Sequence, residues 1–257
     1  MFFDFKFVAL LKKTNLRFME IFNKTGVITT GSIRVIRPVE SLSIHSTKSF
    51  SDLSEEKINV YIESNSGNNT FIIPNLPLKS VVLASTFGES AINSQNGFNA
   101  VIELGLEGAV YLDDGETMKV ELTGLDSEAT YIIDAIEAPE ISTEIVDFEE
   151  KTILSEQTLR TIDVSDAAIM VLAGFDTITN ATFKFINGKS VKYSSRELKT
   201  QSFDIDPLLG IVGTGVTKTV LGREDDFLVF PVDVVDSIDF EKKPTGVCVV
   251  TLRNSDI

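Results

Sequence analysis

The chain has 257 residues, 43% hydrophobic and 24% charged, which suits one large or two medium folded domains and excludes a disordered chain. Its formal charge of −15 opposes phosphate, so a nucleic-acid groove is not expected. A single cysteine, Cys248, excludes an intrachain disulfide, and a single histidine, His45, excludes His-rich zinc sites.

Residues 1–25 differ from the rest of the chain. Lys6, Lys12, Lys13, Arg17 and Lys24 outweigh Asp4 and Glu20, so residues 1–24 carry +3 and the remainder −18. At helical spacing Lys6, Lys13, Arg17 and Lys24 share one face, with Phe7, Leu11, Phe18 and Phe22 opposite. This predicts a basic amphipathic helix or arm suited to an anionic lipid surface or an acidic partner, and its deletion is expected to leave a folded body. Asp4 and Lys6 interrupt the opening apolar run, so "MFFDFKFVALLKK" does not read as a signal peptide. No stretch is apolar for long enough to predict a transmembrane span.

From 26 to 138 the period changes to two. "GSIRVIRPV", "KINVYIES", "NTFIIPN", "KSVVLAS", "FNAVIEL", "AVYL", "MKVEL" and "TYIIDAI" are short runs rich in β-branched and aromatic residues, bounded by Gly, Asn, Asp, Ser or Pro. Such runs without helices between them predict an all-β sandwich or barrel. The acidic stretch 139–152 has no sustained period and reads as a linker.

A second set fills 153–257: "LRTIDV", "AAIMVLAG", "ATFKFI", "SVKYSS", "SFDIDP", "TKTVLG", "FLVFPVDV", "SIDFEKK" and "GVCVVTLR". "FKFINGKSVKY" predicts a hairpin with a two-residue Asn187-Gly188 turn. Two β domains of similar size are expected, with duplicated architecture but no duplicated sequence. The segments at 85–96 and 208–215 read as long loops available for contacts between subunits.

Residues able to do chemistry are few. His45 has no glycine-elbow serine to serve. "NGKS" has Phe183 where a phosphate-binding loop needs glycine, and "GIVGTG" lacks the dinucleotide spacing. Asp113, Asp114 and Glu116 are candidate oxygen ligands for a calcium ion, although "DDGE" also reads as a hairpin turn with Gly115 at positive φ. Cys248 in "GVCVVTL" reads as a core residue. No cofactor, catalytic centre or small-molecule substrate is predicted.

In "MKVELTGLDSEATYIIDAIEAP", Leu122, Leu125 and Tyr131 are expected to point inward around a corner. Over about twenty residues this resembles the fibronectin type III corner, in which a tyrosine opens the next strand, but the early core tryptophan is absent.

The layout of the whole chain, a basic amphipathic start followed by two equal all-β halves in an acidic body, resembles the double jelly-roll major capsid proteins of tailless, membrane-containing icosahedral phages. The resemblance implies two side-by-side jelly rolls and a structural protein of the virion, made in the host cytoplasm. It further implies homotrimers that act as pseudo-hexagonal capsomers and pack with other capsid proteins, with the N-terminal arm on an internal membrane. Two other readings stay open: a two-domain β-sandwich adhesin, spike or receptor-binding protein, and a carbohydrate-active or carbohydrate-binding jelly roll.

Overall fold

Alternation of apolar and polar residues decides most of the local structure, because period two is satisfied by a strand buried on one face. The computed structural model describes residues 17–87, 97–142, 144–205, 211–212, 219–220 and 227–254. The first half contains β1 (Arg17–Thr25), β2 (Ile33–Val35), β3 (Ser41–Ser46), β4 (Lys57–Glu63), β5 (Asn69–Pro77), helix α1 (Leu78–Ser85), β6 (Phe98–Glu103), β7 (Ala109–Val110), β8 (Thr117–Thr123) and β9 (Thr130–Glu137). Two antiparallel four-stranded sheets result, in the orders β1-β9-β3-β6 and β2-β8-β4-β5. Their facing rows, among them Leu42, Ile44, Ile58, Val60, Ile102, Val120, Leu122 and Tyr131, form one fully buried core.

A short connection holds β10 (Ile141–Ser142), which runs parallel to β7. The second half then contains β11 (Phe148–Ile153), β12 (Leu159–Asp163), β13 (Ala167–Ala173), β14 (Ile178–Phe185), β15 (Ser190–Ser194), helix α2 (Ser195–Ile205), β16 (Ile211–Val212), β17 (Thr219–Val220), β18 (Phe227–Pro231), β19 (Val235–Lys242) and β20 (Cys248–Asn254). Its sheets run β11-β20-β13-β18 and β12-β19-β14-β15, the same weave as the first half. In both halves the strand that ends the second sheet leads directly into a helix.

Several expectations need correction. Residues 17–25 are a strand rather than part of a helix. They pair with β9 along their whole length, and Phe22 turns into the core opposite Ile133, so the proposed helical face does not continue through Arg17, Phe18, Phe22 and Lys24. Lys6, Phe7, Leu11 and Lys13 lie outside the described residues. The expected linker 139–152 instead supplies β10 and most of β11, an edge strand of the second half. "KSVVLAS" is helical: α1 is buried from Leu78 to Ala84, so it lacks the polar face that would announce a helix. "SFDIDP" begins inside α2, whose start is fixed by a capping box in which Ser194 N–H donates to the Glu197 carboxylate at 2.8 Å.

The "FKFINGKSVKY" hairpin is present, but its loop has three residues. Phe185 and Lys189 close it, Gly188 N–H donates to Phe185 O at 2.9 Å, and Gly188 has φ +80° while Asn187 does not have positive φ. That combination is a turn followed by a glycine bulge rather than a two-residue primed turn.

Candidate assembly surfaces

The two halves meet through α1. Phe148, Ile169, Val171 and Val229, on the outward face of the second half's first sheet, join the apolar cluster that contains Leu78, Val81 and Leu83. Lys79, at the start of α1, donates to Ser51 O at 3.0 Å and lies 5.8 Å from the Phe50 ring and 5.3 Å from the Phe227 ring. It thereby ties both halves with cation–π contacts in a nearly water-free site. Arg253 on β20 donates to Glu103 on β6 at 2.5 Å.

Antiparallel pairing sets which end each residue occupies. Arg17 pairs with Glu137, and Asn254 N–H donates to Asp147 O. The start of β1, the end of β20 and the connection between the halves therefore lie at one end, here called the base.

The residues proposed as metal ligands form a local turn. Glu116 N–H donates to Asp113 O, the Glu116 carboxylate accepts Asp113 N–H at 2.9 Å, and Gly115 has φ +85°. Asn65 Nδ2 caps the turn by donating to Asp114 O. Among the described residues no three His, Cys, Asp or Glu side chains converge on a metal-sized site. His45 lies on β3 opposite Asn99 and Ile132. Cys248 is buried, and burial pushes its thiol up to about 12, so it is held as a protonated core residue.

At the end opposite the base, each half closes the corner between its last two strands with a buried polar group. In the first half Tyr131, fully buried, accepts Asp126 N–H at 3.2 Å and donates to Glu56 at 3.2 Å. Glu56 also takes Lys48 Nζ at 2.7 Å. Burial opposes the charge of Glu56, yet Lys48 and the Ser54 N–H hold its carboxyl below the ordinary range. In the second half Lys242 directs its ammonium at four backbone carbonyls: Leu154 O and Ser155 O at 3.2 Å, Lys243 O at 2.9 Å and Gly246 O at 3.1 Å. Sequence reading found the tyrosine corner but not the lysine, which ends the strand candidate "SIDFEKK".

No protein-family model and no curated protein sequence matches the chain. Solved structures do. The chain is similar to the STIV major capsid protein, with a TM-score of 0.57, 11% identity, and 93% of this chain and 96% of that one covered. It is similarly close to the major capsid protein P2 of bacteriophage PM2, with a TM-score of 0.56, 11% identity, and 94% and 98% covered. A further structure, of Sulfolobus Turreted Icosahedral Virus, gives 0.56 at 9% identity.

The fold is the double jelly roll.

Within the double jelly roll the two rolls can be laid over one another by register. Tyr131 and Cys248 occupy the same inward position near the start of β9 and β20, which sets Ile136 against Arg253 and Asp134 against Thr251. Phe18 then matches Phe148, because they pair with Ile136 and Arg253 respectively. Phe148 is 2% exposed, under cover of the first roll, whereas Phe18 is 60% exposed. Phe18 was singled out from the sequence as a contact residue on a helix. The register gives it a place on a sheet instead.

Proposed function

We propose that this chain is a structural virion protein, a capsid shell subunit that assembles with itself into trimeric, pseudo-hexagonal capsomers and packs with other capsid proteins. The observation that carries this reading is the head-to-tail contact inside one chain. The helix side of the first roll covers a sheet face of the second, and the two surfaces are unlike. A contact between unlike surfaces, repeated around an axis, closes a ring. The similarity to two major capsid proteins over more than 90% of both chains supports the same role. The role is mechanical rather than catalytic: Cys248 is core, the Glu116 carboxylate serves its turn, and Glu56 serves a corner.

The N-terminal residues belong on the inner side of the shell, against a membrane. The charge contrast of +3 with −18 and the start of β1 at the base support this. Among the described residues no helix is long and apolar enough to cross a membrane, and surface attachment requires none.

Native mass spectrometry of the full-length chain tests the shell reading. Three copies are expected; five point to a vertex protein, and a concentration-independent monomer removes the shell role. Flotation with anionic liposomes tests the membrane reading. The full chain is expected to float, and a chain lacking residues 1–16 is not. The truncation stops there because β1 begins at Arg17 and is part of the first sheet.

A further inference from the structure

The bases of the two rolls differ in the sign of their charges. In the first roll Arg17 pairs in register with Glu137, and Arg37, in the connection between β2 and β3, donates to the Glu137 carboxylate at 3.1 Å. The register that sets Phe18 against Phe148 also sets Arg17 against Asp147 and Glu137 against Asn254. The second roll thus has an aspartate where the first has an arginine, and an amide where the first has a carboxylate. Its matching connection, between β12 and β13, reads Val164-Ser165-Asp166 and brings no cation.

A cavity of about 280 Å³ opens at this place. Val164, Ala167 and Leu252, all buried, form an apolar floor, and Glu149, Asp163 and Asp166 stand around it. The one cation of the lining, Lys151, is paired with Glu149. Ser165 N–H and Oγ donate to Asp163 at 3.1 and 2.8 Å and hold its carboxyl below the ordinary range, so it stays charged. Asn254, also in the lining, donates through Nδ2 to Asp147 at 3.3 Å, while its Oδ1 is buried and accepts nothing among the described residues. An apolar floor, a carboxylate rim and an unused amide acceptor suit an aliphatic chain that ends in an ammonium.

We propose that this cavity seats a lysine side chain from residues 1–16 of the same chain, supplying to the second roll the cation that Arg37 supplies to the first. Lys6, Lys12 and Lys13 outweigh Asp4 in that segment, which joins β1 at the base. Extended chain advances about 3.3 Å per residue, so Lys6 can reach about 35 Å from Arg17, enough to pass from one base to the other. At its opposite end the second roll already holds a lysine in this manner, with the Lys242 ammonium against four carbonyls. The rim is open to water, so the seat is reversible and weakens with salt. Anionic lipid competes for the same lysines and releases the segment when a membrane is met. That release rests on the membrane reading of these residues; the seat does not.

Carbodiimide crosslinking of the full-length chain, read by peptide mass spectrometry, tests the seat. At low salt Lys6, Lys12 or Lys13 is expected to link to Glu149, Asp163 or Asp166 within the monomer band. Asp166→Lys should lower the links to Glu149 and Asp163 about tenfold, although neither acid is changed. Asp166 is exposed, so melting should match the wild type. The same substitution should raise flotation with anionic liposomes, and should not do so in a chain lacking residues 1–16. Links spread evenly over the acids of the body, links that Asp166→Lys leaves unchanged, or links found only between chains overturn the proposal. A wild type that floats but never gives the link keeps the membrane reading and removes the seat. One that gives the link and does not float keeps the seat and removes the membrane reading.

Discussion

The two rolls share one weave, yet they treat the same surface in opposite ways. The second roll's outer sheet presents Ile169, Val171 and Val229 to the first roll. On the first roll's outer sheet Asn99 is exposed, His45 and Asp134 are part-exposed, and Ser43 is buried. Their helices divide likewise: LKSVVLAS is buried on every side, and SRELKTQSFDI is charged. Composition at equivalent positions therefore reports when a contact forms. The intrachain contact forms with the fold and can be as dry as a core. A contact made after folding must tolerate water first.

The largest expected effect breaks the dry contact. Val82 is fully buried in α1, so Val82→Asp places a charge inside the helix that joins the rolls and should destabilise by about 4 kcal/mol or more. Thr200→Glu on exposed α2 should change stability by no more than about 0.5 kcal/mol. Urea denaturation separates the two. Cys248 supplies a second readout: its protonated, buried thiol labels only when the second roll opens. Labelling should accelerate in Val82→Asp although the substitution lies in the first roll. Unchanged labelling would mean that α1 does not hold the second roll closed.

The corner groups sharpen the comparison at a smaller scale. Lys242→Met removes a donor from four carbonyls, of which Leu154 O keeps Gln157 N–H, and should cost about 3 kcal/mol. Tyr131→Phe removes one acceptor for Asp126 N–H and one donor to Glu56, a loss of about 1–2 kcal/mol. Equal losses in thermal melts would refute the view that the lysine corner concentrates more bonds in one group.

Acid should act on the first corner through Glu56. Its folded carboxyl lies below the ordinary 4.5, so its contribution is present above that value and is lost as pH falls through the folded pKa. Lys48, held above 10.5, contributes below that value and loses its contribution as pH rises through its folded pKa. Between those limits the pair is fully formed. Glu56→Gln should flatten the acid side of the melting-temperature profile. A profile as steep as the wild type's would place the acid sensitivity elsewhere.

These features also mark what the sequence made legible. The sandwich class, the Tyr131 corner and most strands follow from period two and turn residues, which are local. Three elements were hidden because a neighbour overrode the local pattern. The apolar side of "LKSVVLAS" faces two rolls at once, so no polar stripe survives to signal a helix. β1 places Phe22 inward and Phe18 outward across a bulge, and the resulting spacing imitates a helical face. β11 was hidden by Glu149, Glu150 and Lys151, which separate Phe148 from Ile153 and leave no apolar alternation. The start of α2 was readable, since Ser194 and Glu197 have capping-box spacing. The outward place of Phe18 was not, because it follows only from the register that sets it against Phe148.

The smallest expected effect tests the equivalence of the rolls at their base. Each roll has a hairpin closed by the same bonds: Gly67 N–H donates to Ser64 O at 3.0 Å, and Gly188 N–H to Phe185 O at 2.9 Å. Both glycines have φ +80°, and a β-carbon added at either would meet nothing within 4 Å. The strain of the left-handed backbone is then the only term, so Gly67→Ala and Gly188→Ala should each cost about 1 kcal/mol. The sites are in different rolls and share no partner, so the double variant should lose about 2 kcal/mol. The flanking sequences, Ser64-Asn65-Ser66 and Phe185-Ile186-Asn187, have nothing in common. Equal costs would show that the turn geometry is what the two rolls share. Unequal costs in chemical denaturation would mean that one loop changes shape to accommodate alanine, and the duplication at the base would then be one of topology rather than of turn geometry.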